Sequence, residues 1–235
     1  MISKTEKADS PNFRKAYIMA NQIIVCSTTM DGFPFKAKAL VKEQADIAFC
    51  TFEKASIKFG LDIRQFGSES AVLMEMNGAH IIFYNQSEAL YRIRFSILHE
   101  FGHYILGHKR NLSYDDALYG VQEVEANCFA AQILMPEQLL RELSKRGMIL
   151  SEEFIMRVFN VSWEAAEKRI NTLARTKEEL HCRDESEYDD VILYKYEQFL
   201  NSIAPKSSSY FYSFEEEYEK EQERSTWLYQ RPYRS

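Results

Sequence analysis

His99, Glu100 and His103 stand as His-Glu-x-x-His inside Arg94-Phe-Ser-Ile-Leu-His-Glu-Phe-Gly-His-Tyr-Ile-Leu-Gly-His108. Residues four apart on an α-helix lie one above the other, so the two imidazoles can bind one ion, and zinc suits such ligands. Glu100 falls about 100° further round the helix. From there its carboxylate can reach a water held on the metal without ligating the ion, which is the position a general base requires. The competing meaning of the pattern is a polar helix face with solvated histidines. Against it, Ile93, Ile97, Phe101 and Ile105 recur every fourth residue and make an apolar stripe that buries one side of the helix. A buried helix is what a rigid metal site needs. Gly102 costs a helix about 1 kcal/mol relative to Ala, so its presence implies close packing or the close approach of a substrate.

A zinc ion on two histidines needs a third protein ligand, and a catalytic zinc leaves the fourth position to water. Twenty residues beyond His103, Glu123 opens the run Glu-Val-Glu-Ala-Asn-Cys-Phe-Ala-Ala-Gln-Ile-Leu-Met-Pro136. Its spacing and its Glu-x-x-Ala-Asn resemble the second metal-binding helix of the gluzincin metallopeptidases. Taken with the helix around His99 and the Leu-Gly-His that ends it, the run resembles the ImmA/IrrE family of metallopeptidases, across residues 33–175. The resemblance implies a zincin-like fold, Zn²⁺ as cofactor, and Glu123 as third ligand with Glu125 as the alternative. Glu125 lies about 200° around the helix from Glu123, so both cannot face one metal. The one not used stays in solvent or behind the ligands. Asn127, four residues after Glu123, is either a plain polar helix residue or a hydrogen-bond partner that orients His99 or His103.

The elements that must position these residues are legible in part. Ala71 to Met76 and Ala79 to Tyr84 flank Asn77-Gly78, the signature of a β-hairpin with a type I′ turn. A small antiparallel sheet beside the two metal helices is therefore expected, and its edge can hold an extended peptide by strand addition. Before it, Ala16 to Val25 reads as a helix, Asp31-Gly-Phe-Pro34 as a turn, Phe35 to Gln44 as a helix and Ile47 to Phe52 as a strand. After the metal helices, Glu137 to Arg146 is an amphipathic helix closed by Gly147. Glu152 to Phe159 and Trp163 to Leu173 form a helix-turn-helix pattern with Ser162 as N-cap.

The fold class is thus α+β, with an N-terminal arm and helix over 1–30 and a zincin-like metallopeptidase domain over 31–146. A helix-turn-helix-like helical extension over 147–175 and a C-terminal extension over 176–235 complete the chain. In the last part Val191 to Leu200 is open between helix and strand, Pro205 to Ser209 is linker-like, and Tyr210 to Arg231 is either a docking helix or a solvated charged one.

Several residues invite a functional reading and have a plainer one. His108 lies five residues past His103, points elsewhere on the helix and suits a C-terminal position in the helix dipole. His80 reads as an exposed strand histidine, and Cys128 as core. The loop Lys109 to Gly120 carries Tyr114, Asp115, Asp116 and Tyr119, and a tyrosine there can donate to an oxyanion, a contribution of about 3 kcal/mol. Glu164, Glu167, Lys168 and Arg169 give the second helix of the helix-turn-helix a mixed-charge face that suits DNA phosphates poorly.

The net charge of −6 argues against a broad basic surface for nucleic acid. No apolar run approaches the ~20 residues of a membrane span, and the first residues lack the apolar core of a signal peptide. A cytoplasmic location is therefore expected, and Cys26, Cys50, Cys128 and Cys182, which are scattered and form no Cys-x-x-Cys pair, are expected to be free thiols. The expected function is a zinc-dependent endopeptidase, with Glu100 as general base. The resemblance implies a protein substrate of the helix-turn-helix repressor kind. The alternative is a non-catalytic metal-binding regulatory or interaction protein on the same scaffold.

Overall fold

The computed structural model describes residues 10–62, 68–109, 116–176 and 183–206, with Tyr218 and Gln222 as isolated positions. At its centre α4 (Leu90–Leu106) packs along α5 (Ala117–Leu134). Of the apolar stripe on α4, Ile97 and Phe101 are fully buried with Leu98, while Ile93 and Ile105 pack half-buried against the same core. Each of the fully buried side chains contributes roughly 1.5–3 kcal/mol. The inner length of α5 is apolar on more than one side, because Phe129, Ala130, Ile133 and Leu134 are all enclosed. Asp116 starts that helix by accepting from the Leu118 amide at 2.8 Å. Met135-Pro136 ends it, as expected.

Gly102 lies where the two helices cross. A Cβ there would sit 3.0 Å from Phe129 Cδ1 and 3.3 Å from both Cα and O of Ala126. Close packing, not substrate approach, is therefore the reason for the glycine.

The sheet flanks α4. The hairpin forms as read, with β2 (Ala71–Met76) and β3 (Ala79–Tyr84) antiparallel around Asn77 at φ 52° and Gly78 at φ 77°. The expectation of a purely antiparallel sheet needs one amendment: β1 (Ile47–Thr51) joins β3 in parallel, giving the order β1-β3-β2. A turn motif reports only the local pairing, whereas a parallel partner arrives by a crossover. Here the crossover contains α3 (Phe52–Phe59), a helix not expected from the pattern although Thr51 caps its start and Gly60 its end. Strand β2 is left at the sheet edge, against α4.

Around this centre stand α1 (Phe13–Cys26), α2 (Ala37–Gln44), α6 (Glu137–Lys145), α7 (Glu152–Phe159) and α8 (Trp163–Arg175). Ser162 caps α8 by accepting from the Ala165 amide at 3.1 Å, as its position implied. Arg94 ties α4 to the end of α7, donating to the carbonyls of Phe159 at 3.1 Å and Asn160 at 2.7 Å. Burial lowers its pKa to about 10, which leaves it charged at neutral pH. The segment left open between helix and strand is helical, as α9 (Arg183–Lys195) and α10 (Glu197–Ile203). Ile192 and Leu200 from these helices, and Tyr196 between them, are enclosed in the same core as Phe101 and Phe129. Residues 1–9 of the arm, Cys182 and most of Tyr210 to Arg231 lie outside the described residues.

Candidate metal centre

The straight run of α4 brings His99 and His103 onto one face, and the packing of α5 against it brings Glu123 opposite them. The two Nε2 atoms are 3.0 Å apart. One Glu123 oxygen lies 3.3 Å from Nε2 of His99 and the other 3.2 Å from Nε2 of His103. All three ligand atoms fall within 4.8 Å of one another. Two imidazole nitrogens and a carboxylate oxygen converging in this way form a donor set that suits zinc.

These groups also interact with each other. Burial works against the charge on Glu123, but hydrogen bonds from His103 and His99 outweigh it and hold the carboxyl well below the usual range. Burial likewise opposes protonation of His99, yet Glu123, Glu100 and Asn127 together raise its pKa. The site is pre-arranged for positive charge.

The other ring nitrogens are held from behind. Asn127 Oδ1 lies 2.9 Å from His99 Nδ1, so the amide oxygen accepts from Nδ1 and Nε2 is the nitrogen left facing the cluster. Behind His103 the partner is His108, with the two Nδ1 atoms 2.9 Å apart, and His108 Nε2 is in turn 2.9 Å from Glu125 Oε2. This corrects the expectation that His108 points elsewhere. Helical geometry stops at Leu106, and Gly107 takes a left-handed φ of 69°. The His108 amide then returns to the His103 carbonyl at 3.1 Å, swinging its ring back over the helix end. The Gly-His after the last helical residue was the signal for it. Glu125 is not in the ligand cluster; it stands behind His108 and accepts from the Asn12 amide at 2.6 Å.

Glu100 is aimed differently from the histidines. Its Oε2 accepts from the Leu73 amide of edge strand β2 at 2.8 Å. Burial raises its pKa, with the neighbouring histidines pulling the other way. It opens with His99 and Glu123 into a cleft of about 640 Å³ walled by β2, α4, α5 and α8. Tyr119 lines this cleft one helical turn before Glu123, because α5 already begins within the expected loop. Tyr114 and Asp115 lie outside the described residues. Cys128 is half-buried against the core and borders the cleft further along α5.

Helix α8 supplies a wall that pattern reading did not foresee. Glu164 and Lys168, paired at 2.6 Å, and Thr172 face the cleft. Arg169 corrects the mixed-charge surface expected of this helix, since it is buried and donates to the Met135 carbonyl at 3.0 Å and to the Gln132 side chain. A guanidinium satisfied inside the core cannot reach a phosphate. His80 is half-buried, its ring edge-on to Tyr104 at 5.0 Å, and is not among the clustered ligand groups.

A two-histidine, one-glutamate cluster on crossed helices, with a second carboxylate tethered to a sheet edge, defines a scaffold of the zincin type. Residues 54–171 match the IrrE N-terminal-like domain, and the chain belongs to that peptidase family. No curated protein matches the chain significantly. Among the described residues no helix is long and apolar enough to cross a membrane.

Proposed function

We infer that this protein is a zinc-dependent endopeptidase that cleaves another protein. The convergence of His99 Nε2, His103 Nε2 and the Glu123 carboxylate, with Glu100 beside them on an open cleft, is the observation that supports it. When bound, zinc would polarise a scissile carbonyl and lower the pKa of a water towards about 7. His99, His103 and Glu123 would hold it. Glu100 takes the proton of the attacking water and returns it to the leaving amine, and its raised pKa suits both halves of that transfer. The Leu73 amide keeps that carboxylate pointed into the cleft. Tyr119, which lines the same cleft, is the tyrosine we propose as donor to the oxygen that gains charge as the carbonyl is attacked. An extended substrate pairing with the outer edge of β2 would run past Glu100.

The substrate we propose is a helix-turn-helix repressor, following the family, and the setting is the cytoplasm, where the free thiols Cys26, Cys50 and Cys128 stay reduced. The test measures zinc content and cleavage of a co-expressed repressor for the parent and for Glu100→Gln. An endopeptidase keeps zinc in the variant and loses cleavage. A metal-binding regulatory protein on the same scaffold keeps both its zinc and its biological effect.

A further inference from the structure

We propose that His108 and Glu125 form a hydrogen-bonded prop that sets the tautomer and orientation of His103, and that α1 braces this prop from outside through the Asn12 amide. The inference rests on the metal-centre reading above and deepens it. The two ligating histidines are not supported alike. His99 is held by one short side chain of α5, Asn127, whereas His103 is held by a chain of three groups drawn from three parts of the sequence.

The hydrogen positions along that chain follow from the chemistry of its last member. A carboxylate only accepts, so the contact of 2.9 Å between Glu125 Oε2 and His108 Nε2 places a proton on that nitrogen. A neutral His108 protonated at Nε2 presents a bare lone pair at Nδ1. The Nδ1 of His103, 2.9 Å away, must therefore be the donor of that pair. With its proton on Nδ1, neutral His103 keeps Nε2, the nitrogen turned towards His99 and Glu123, as the one that binds a metal. A water or a lone serine in place of His108 could donate as well as accept, and would leave the tautomer open.

The prop is also shielded and braced. The side chains of His108 and Glu125 are only 5% and 14% exposed, so water competes weakly for their hydrogen bonds. The other Glu125 oxygen accepts from the Asn12 amide at 2.6 Å, and three residues on Lys15 Nζ donates to the Leu106 carbonyl at 2.6 Å, at the turn that delivers His108. Asn12 also caps α1 through its side chain, which fixes the backbone that Glu125 grips. Asn12 and Lys15 precede residue 54, where the family match begins. The outer support of the metal centre thus comes from a helix that the matched domain does not include.

The experiment uses the full chain and zinc itself. Zinc dissociation constants are measured by chelator competition for the parent, His108→Ala, Glu125→Ala and Glu125→Gln, with melting of the metal-free proteins to verify folding. The two alanine variants are expected to bind zinc 10–100-fold more weakly. Glu125→Gln, which keeps an oxygen able to accept from His108, is expected to lose less. Should His108→Ala fail to fold, the two Glu125 variants decide the matter. Nitrogen-15 spectra of histidine-labelled, zinc-loaded parent supply a readout that bulk packing does not move: His108 is expected to carry its proton on Nε2. A proton on His108 Nδ1, or a parent-like affinity in the alanine variants, overturns the prop alone. A parent that binds no zinc overturns the peptidase reading and the prop with it.

Discussion

Replacing Gly102 with Ala sets helix propensity directly against packing, and the structure says which should win. Ala stabilises a helix interior by about 1 kcal/mol over Gly. The added methyl would meet Phe129 Cδ1 at 3.0 Å and the Ala126 backbone at 3.3 Å. Phe129 is fully enclosed, its ring edge-on to Phe101 at 5.8 Å, so it has little room to turn away. The Ala126 contacts are backbone and can be relieved only by moving α5 off α4 by a few tenths of an ångström. Overpacking of this kind costs about 1–3 kcal/mol. The net expectation is a loss of up to about 2 kcal/mol, read by urea denaturation of the metal-free protein. Because Glu123 and Asn127 ride on α5 on either side of Ala126, the same displacement should weaken zinc binding, measured by chelator competition. A Gly102→Ala protein that is more stable than the parent and binds zinc equally well would show that the helix crossing has slack, and the argument from close packing would fail.

Removing Glu123 by Glu123→Ala takes one of three ligand groups and should weaken zinc binding by more than either His108→Ala or Glu125→Ala, in the same competition assay; the reverse order would move the ligand assignment. Truncation after Thr176 strips Ile192, Tyr196 and Leu200 from the core, where each is at most 1% exposed. At roughly 1.5–3 kcal/mol apiece that approaches the whole stability of a domain, so circular dichroism of the truncated chain should show no cooperative melting. Burial raises the Glu43 carboxyl, but it accepts from Ser27, the Thr28 amide at 2.7 Å and the hydroxyls of Thr28 and Thr29, and these hydrogen bonds together hold it well below the usual range. A depressed carboxyl stabilises fully above its unfolded pKa, about 4.3, and less as pH falls below it. Glu43→Gln should therefore melt about 2–4 °C below the parent at pH 7, for an exposed group worth about 1 kcal/mol. The gap should close below about pH 4. A gap that stayed constant down to pH 3 would assign the effect to something other than the ionised carboxylate.

What could be read from the sequence was whatever is encoded by spacing along one element. His99, Glu100 and His103 sit on a single helix whose period puts them on one face, and Asn77-Gly78 specifies a turn whatever surrounds it. Ser162 and Gly147 mark helix ends by their own backbone and side-chain chemistry. Glu123 was reached through resemblance, since no local rule relates two helices joined by a loop. Tertiary structure decided the rest. The parallel pairing of β1 with β3 depends on a crossover that no turn motif reports. Arg169 has the composition of a surface residue, and only the meeting of α8 with the end of α5 reveals the carbonyl and amide oxygens that satisfy it in the core. His108 was misplaced because an ideal helix was extended past its end. Gly107 adopts a left-handed conformation that reverses the chain, and one pair of backbone dihedrals moves the imidazole from the far side of the helix to the back of His103. Hydrogen bonds between groups 17 and 113 residues apart, His108 with Glu125 and Asn12 with Glu125, then follow from packing alone, because short-range forces act on distance in space and leave no period in the sequence.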